Sequence, residues 1–181
     1  MTSAFLLACV VGQLPREDVI RPADYAPCGL SSFYLVCRFL DVPIQWDEAK
    51  SQLGPADKAG MHSFQNLVSA AKSVGLHPVA VKGDLAQLAK LPMPVIVHVR
   101  DLRRPNRPEH LLVLLRVQDQ RVILLDPPMP AYSLSADNFA AVWTGHALAF
   151  AHDEDQVIDL VWSARSTSLV RPFLWSGAVL G

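Results

Sequence analysis

Apolar positions along the chain change their spacing once, near residue 77, and that change divides the sequence into a helical first half and a strand-rich second half. After an apolar run, AFLLACVV, and a polar linker, GQLPREDVIRPADYAP, the segment CGLSSFYLVCRFLD places apolar residues at 30, 33, 34, 37 and 40. That is helical spacing, and it predicts a helix beginning near Cys28 and ended by Pro43. WDEAKSQL predicts a short second helix, broken by Gly54-Pro55. Ser63 followed by FQNLVSAAKSV, with Gly75 beyond, predicts a third helix with a capping serine and a C-terminal glycine.

From His77 onward HPVAV reads as a strand, DLAQLAKL as a short helix whose Asp84 and Gln87 form a capping-box pattern, and PVIVHVR as a buried strand. LLVLLRV and RVILLD, separated by QDQ, predict an antiparallel hairpin, and SADNFAAVW a further short helix before the strand ALAFAH. Helices first and a sheet afterwards favour an α+β layer architecture over an alternating, doubly wound sheet. No GxGxxG or phosphate-loop pattern opposes that assignment, and no internal repeat or low-complexity segment is present.

At 181 residues the chain has the length of one domain. Charged residues make up 18%, below the roughly 25% of an average globular chain, which argues against disorder. Sixteen Lys and Arg against seventeen Asp and Glu leave no basic excess, so a nucleic-acid partner is not expected. Three cysteines, at 9, 28 and 37, with no CxxC pair, encode neither a disulfide framework nor a structural zinc site. No apolar stretch approaches the roughly 18 to 20 residues that a membrane-spanning helix needs. The run Ala4 to Val11 resembles the apolar part of an export signal, and Leu6-Leu7-Ala8-Cys9 a lipoprotein cleavage box, although no positive segment precedes it. The alternative is a first strand or helix that packs on the core.

Cys28 stands at the predicted start of a helix and is followed by Gly29. Unsatisfied N–H groups and the positive helix end favour a thiolate there, although a buried free cysteine is the commoner circumstance. Cys37, nine residues on, falls about half a turn round the helix and reads as an apolar filler. His110 opens one hairpin strand and Asp126 closes the other, before Pro127-Pro128. The first residue of one strand lies opposite the last residue of the next, so imidazole and carboxylate are expected to meet at the sheet edge. A carboxylate that fixes one nitrogen of His110 leaves the other to take a proton from a thiol, the nucleophile, base and orienter arrangement.

The blocks CGLSSFYLVCRFL, AGMHSFQNLVSAAKSVGLHPVAVKGDLAQLAKLPMPVIVHV, HLLVLLRVQDQRVILLDPP and NFAAVWTGHALAF resemble, in order, the bacteriocin-processing cysteine peptidases. These double-glycine leader peptidases are commonly fused to export transporters. The resemblance covers about Cys28 to Phe150 and implies a papain-like fold, with N-terminal helices packed on an antiparallel sheet. It implies Cys28 as nucleophile, His110 as base and Asp126 as orienter, a peptide or leader-peptide substrate and a membrane transporter as partner. The expected organisation is an N-terminal segment and linker over 1–27, a papain-like peptidase domain over 28–152 and a C-terminal extension over 153–181. The cytoplasm or the cytoplasmic face of the membrane is the favoured location, with export if the apolar N-terminus is a truncated signal.

The chain departs from the family at two points. Family members usually carry a glutamine six residues before the nucleophile to complete the oxyanion hole; here that position is Pro22, and the nearest upstream glutamine is Gln13. The aspartate that often precedes the nucleophile is replaced by Pro27. Loss of one oxyanion donor costs about a hundredfold to a thousandfold in turnover, so a peptide-binding domain with weakened or no catalysis is the alternative function. Acyl transfer to an acceptor other than water would use the same three residues. His98, two residues from Arg100 in PVIVHVR, reads as a structural histidine. His62, His77, His146 and His152 have no metal-ligand spacing, and no metal or other cofactor is expected. Arg100, Arg103, Arg104 and Arg107 read either as a solvated loop or as a rim that steers an acidic peptide. Trp143, Trp162 and Trp175 read as packing residues.

Overall fold

The computed structural model describes residues 27–58, 60–100, 109–151, 153, 155 and 156. The apolar N-terminal run with Cys9, Gln13, Pro22, and the arginines at 103, 104 and 107 lie outside the described residues, as do His152, Trp162 and Trp175.

Among the described residues, three helices come first. α1 (Cys28–Phe39) buries every residue from Gly29 to Cys37, which includes Leu30, Phe33, Tyr34 and Cys37 of the face that the spacing marked, while Leu40 just beyond it is half-buried. It stops four residues before Pro43: Asp41 takes a positive φ of 55°, Val42 N–H donates to the Cys37 carbonyl and Asp41 N–H to that of Arg38. That is a Schellman stop, so a left-handed aspartate and not the proline ends the helix. α2 (Trp46–Leu53) follows, with Trp46 edge-on to Tyr34 of α1 at 5.2 Å between ring centres. α3 (Phe64–Ser73) opens on a capping box in which Ser63 and Asn66 satisfy each other's backbone, and closes at Gly75, whose φ of 82° suits a residue without Cβ.

The second half supplies β1 (His77–Lys82), the short α4 (Leu85–Leu88) capped by Asp84 and Gln87, β2 (Val95–Arg100), β3 (Glu109–Gln118) and β4 (Arg121–Leu125). β5 (Tyr132–Ser135), α5 (Ala136–Val142) and β6 (Trp143–Ala151) complete it. The strands form one antiparallel sheet in the order β1-β6-β2-β3-β4-β5. One face packs on the three N-terminal helices through Ile96, Leu111, Val113 and Leu148. The other buries Val95, Val97, Leu112 and Leu114 with Leu88 of α4 and Phe139 of α5. A sheet covered on both faces explains why PVIV and LLVLL are unbroken apolar runs instead of alternating ones. No helix among the described residues is long and apolar enough to cross a membrane.

The hairpin differs from its expected form in two respects. Gln118 pairs with Arg121, so the turn has two residues, Asp119 and Gln120, both at positive φ. That is the type I′ geometry that matches strand twist. A bulge then inserts Leu115 between the pairs Arg116–Ile123 and Leu114–Leu124. An unbroken ladder from this turn would set Asp126 across from Val113. With the extra residue, continuing the register past Val113–Leu125 sets it across from Leu112. Residues two apart on a strand share a face, so the bulge brings Asp126 to the face that carries His110.

Candidate active site

Cys28 is the first residue of α1 and is half-buried; the Pro27 carbonyl accepts from Leu30 and Ser31 N–H and turns the chain into the helix. No side chain caps this end, and no acidic residue occupies its first turn. The uncompensated positive helix end therefore lies beside the thiol. Ser32, one turn on, donates to the Leu111 carbonyl at 3.3 Å and ties the start of α1 to the strand that carries His110.

His110 is the second residue of β3 and Asp126 directly follows β4; they are 7% and 8% exposed. His110 Nε2–H donates to Asp126 Oδ1 at 2.8 Å. The two residues meet one diagonal step apart, not directly across the ladder, because Leu112 occupies the opposite position. A carboxylate accepts only, so Nε2 carries the proton and Nδ1 is the nitrogen left for the thiol. Burial alone would lower the His110 pKa. Hydrogen bonds with Asp126 and Cys28, together with their negative charge, outweigh it and hold the imidazole up at about 9. Proton and positive charge thus reside on His110 near neutral pH, which favours an anionic partner at sulfur.

Cys37 takes no part: it is fully buried in the helical core, and burial pushes its thiol up to about 12, against a smaller opposing effect of a backbone hydrogen bond. His98 is also held by its surroundings, with Nδ1 2.9 Å from Thr144 Oγ1 and Nε2 3.6 Å from Glu109. Burial, the largest influence, lowers its pKa. Arg100 stands exposed at the end of β2.

Two neighbours of the thiol carried no periodic signal in the sequence, because they belong to the irregular connection between α2 and α3. Met61 Sδ lies 3.7 Å from Cys28 Sγ, and His62 packs against Gly29. Beside them opens a cleft of about 290 Å³, lined among others by Met61, His62, His98, Glu109, Leu111 and His146. The fold thus brings together histidines that are far apart in sequence. Among the described residues, however, no three His, Cys, Asp or Glu side chains are arranged to hold a metal ion.

Helices packed on an antiparallel sheet give the chain the papain-like peptidase fold. The chain belongs to the Peptidase C39 family, whose sequence profile matches residues 16–155. An uncharacterised protein of Methanothermobacter marburgensis is 27% identical over 142 residues, which cover 78% of this chain and 94% of that protein. The pediocin PA-1 transport/processing ATP-binding protein PedD of Pediococcus acidilactici is 30% identical over 132 residues, 71% of this chain but 18% of its own length. Among solved structures, a double glycine motif protease from an AMS/PCAT transporter, in complex with its leader peptide, superposes with a TM-score of 0.62 at 22% identity, over 73% of this chain and 89% of that one. The peptidase domain of Streptococcus ComA, a bi-functional ABC transporter of a quorum sensing pathway, gives 0.63 at 24% identity, over 72% and 94%.

Proposed function

We propose that the protein is a cysteine peptidase that cleaves a leader peptide after a Gly-Gly pair, with Cys28 as nucleophile, His110 as acid and base and Asp126 as orienter. The observation that carries this reading is the buried His110–Asp126 hydrogen bond at 2.8 Å, on an imidazole that also engages the Cys28 thiol. Sulfur attacks the peptide carbonyl carbon as the thiolate, with the proton held on His110 Nδ1. As the C–N bond breaks, His110 gives that proton to the leaving amine, and a thioester remains on Cys28. Water, giving a proton to His110, then attacks the thioester, and the acid departs as the pair of thiolate and imidazolium is restored. Asp126 accepts Nε2–H throughout and keeps Nδ1 facing sulfur.

The cleft beside Met61 is the proposed peptide subsite, since it adjoins the nucleophile and combines apolar walls with polar side chains. Support for the substrate class comes from the relatives, one solved with a leader peptide and one named for pediocin transport and processing. A membrane transporter is the proposed partner, which would set the reaction at the cytoplasmic face of the membrane. Incubation with a library of Gly-Gly peptides, followed by mass spectrometry, tests the reading: wild type cleaves after the pair, while Cys28→Ala and His110→Ala do not. Undiminished cleavage by His110→Ala would assign the base to another residue, with His98 the next candidate.

A further inference from the structure

The mechanism leaves one buried group unused. His62 is 5% exposed, and its Nε2 lies 3.1 Å from the Gly54 carbonyl. A carbonyl only accepts, so Nε2 carries a proton, while Nδ1 is buried and has no hydrogen-bond partner among the described residues. Burying such a nitrogen costs free energy that an apolar residue of similar bulk would avoid, at the loss of the bond that sets the ring's orientation. The orientation has a visible consequence at Gly29. A Cβ built there would lie 2.7 Å from His62 Cβ, 3.1 Å from Nδ1 and 3.2 Å from Cγ, so His62 occupies the space of a side chain on the residue after the nucleophile.

The preceding residue is fixed as firmly. Met61 N–H donates to Asp57 Oδ1 at 2.8 Å, Asp57 N–H donates to the Met61 carbonyl at 2.9 Å, and the Ser63 capping box follows directly. From this braced backbone Met61 reaches the Cys28 sulfur. One dipeptide thus grips another, Met61 on the thiol of Cys28 and His62 on the backbone of Gly29.

We propose that His62 is a positioning residue for the nucleophile: it fixes the backbone of Gly29, and with Met61 it holds the Cys28 thiol where His110 and the N-terminus of α1 act on it. The proposal rests on the reading of Cys28 as nucleophile. The titratable groups around the thiol are His110 from β3, Asp126 behind it and His62 from the α2–α3 connection; α1 contributes no acidic residue in its first turn. Loss of the His62 ring frees the helix start to shift, and a small displacement of reacting atoms is costly in turnover.

The test compares wild type, His62→Ala, His62→Gln and Gly29→Ala in the full chain. Three properties are read: thermal unfolding, iodoacetamide labelling of Cys28 across pH, and kcat and KM on a Gly-Gly peptide. His62→Ala should slow labelling at neutral pH and lower kcat, each by about tenfold, with KM within about twofold. His62→Gln, whose amide can donate to Gly54, should recover most of the loss. Gly29→Ala keeps His62 but drives a Cβ into it and should reproduce the labelling change, which preserves the test if His62→Ala does not fold. A folded His62→Ala with wild-type labelling and kcat overturns the proposal, as does a rise in KM alone, which would mean that His62 acts only through the cleft it lines. If wild type cleaves no peptide while His62→Ala still alters labelling, positioning stands and the peptidase reading falls.

Discussion

Asp126 accepts a hydrogen bond from His110 Nε2–H from a diagonal position on the same sheet face, and it reaches that face because the hairpin gains one residue at Leu115. The pair is therefore a property of the ladder's register as much as of the two side chains. Replacing Asp126 with Asn keeps the shape but offers an amide that can donate, which permits the wrong tautomer of the imidazole. Asp126→Asn should lower kcat by about a hundredfold to ten-thousandfold, while His110→Ala should abolish cleavage. Steady-state kinetics on one Gly-Gly peptide decides; equal activity of Asp126→Asn and wild type would remove the orienter role.

The raised pKa of His110 also has a sign for stability. Its folded value of about 9 exceeds the ordinary 6.5, because the bonds with Asp126 and Cys28 outweigh burial. Between those values the folded protein retains a proton that the unfolded chain has released. The stabilisation is thus complete below about 6.5 and is lost as pH rises through about 9. Thermal unfolding at pH 6, 7.5 and 9.5 should show wild type losing stability on the alkaline side more steeply than His110→Ala. Parallel curves would mean that the pair contributes nothing through this proton.

Thiol labelling should separate the two described cysteines. Cys37 is fully buried with its thiol pushed up to about 12, whereas Cys28 is half-buried beside a positive helix end and His110. Iodoacetamide with peptide mapping should modify Cys28 in the native protein and reach Cys37 only on unfolding. Equal rates at both would overturn the assignment of Cys28.

Pro22 separates an enzyme from a binder. If the family's glutamine acts at this position as an oxyanion donor, Pro22→Gln should raise kcat by about tenfold, equal to about 1.4 kcal/mol, with little change in binding. A slower Pro22→Gln enzyme would show that another group already serves the oxyanion. Calorimetric binding of Gly-Gly peptides by both proteins, with cleavage by neither over a long incubation, would establish the non-catalytic domain.

Much of the fold was legible because its signals are local. Ser63 with Gly75, and Asp84 with Gln87, mark helix ends through bonds made within a turn, and both helices stand where those residues set them. Signals that depend on a distant partner were not legible. The half-exposed β5, YSLS, is a four-residue edge strand that draws its order from β4, and no periodicity announces it. Asp41 stops α1 through a left-handed φ that non-glycine residues seldom adopt, so Pro43 was the more visible marker. His110 and Asp126 stood out as residue types at strand ends, but the bulge that aligns them is invisible in LLVLLRV. Met61 and His62 reach Cys28 and Gly29 across more than thirty positions, from an irregular connection whose spacing announces no contact.

β3 has hydrogen-bonded neighbours on both sides, β2 and β4, and the His110–Asp126 contact is contained within that sheet. Cys28 belongs to the other layer, joined to the sheet by side-chain packing and the Ser32–Leu111 bond. The machinery therefore has one stiff coordinate, imidazole to carboxylate, and one compliant coordinate, sulfur to imidazole. Heat, denaturant or a void at the interface of the layers acts on the compliant one first. Peptide cleavage should then fail at milder conditions than those that break the His110–Asp126 bond, with activity reporting the seating of one layer on the other.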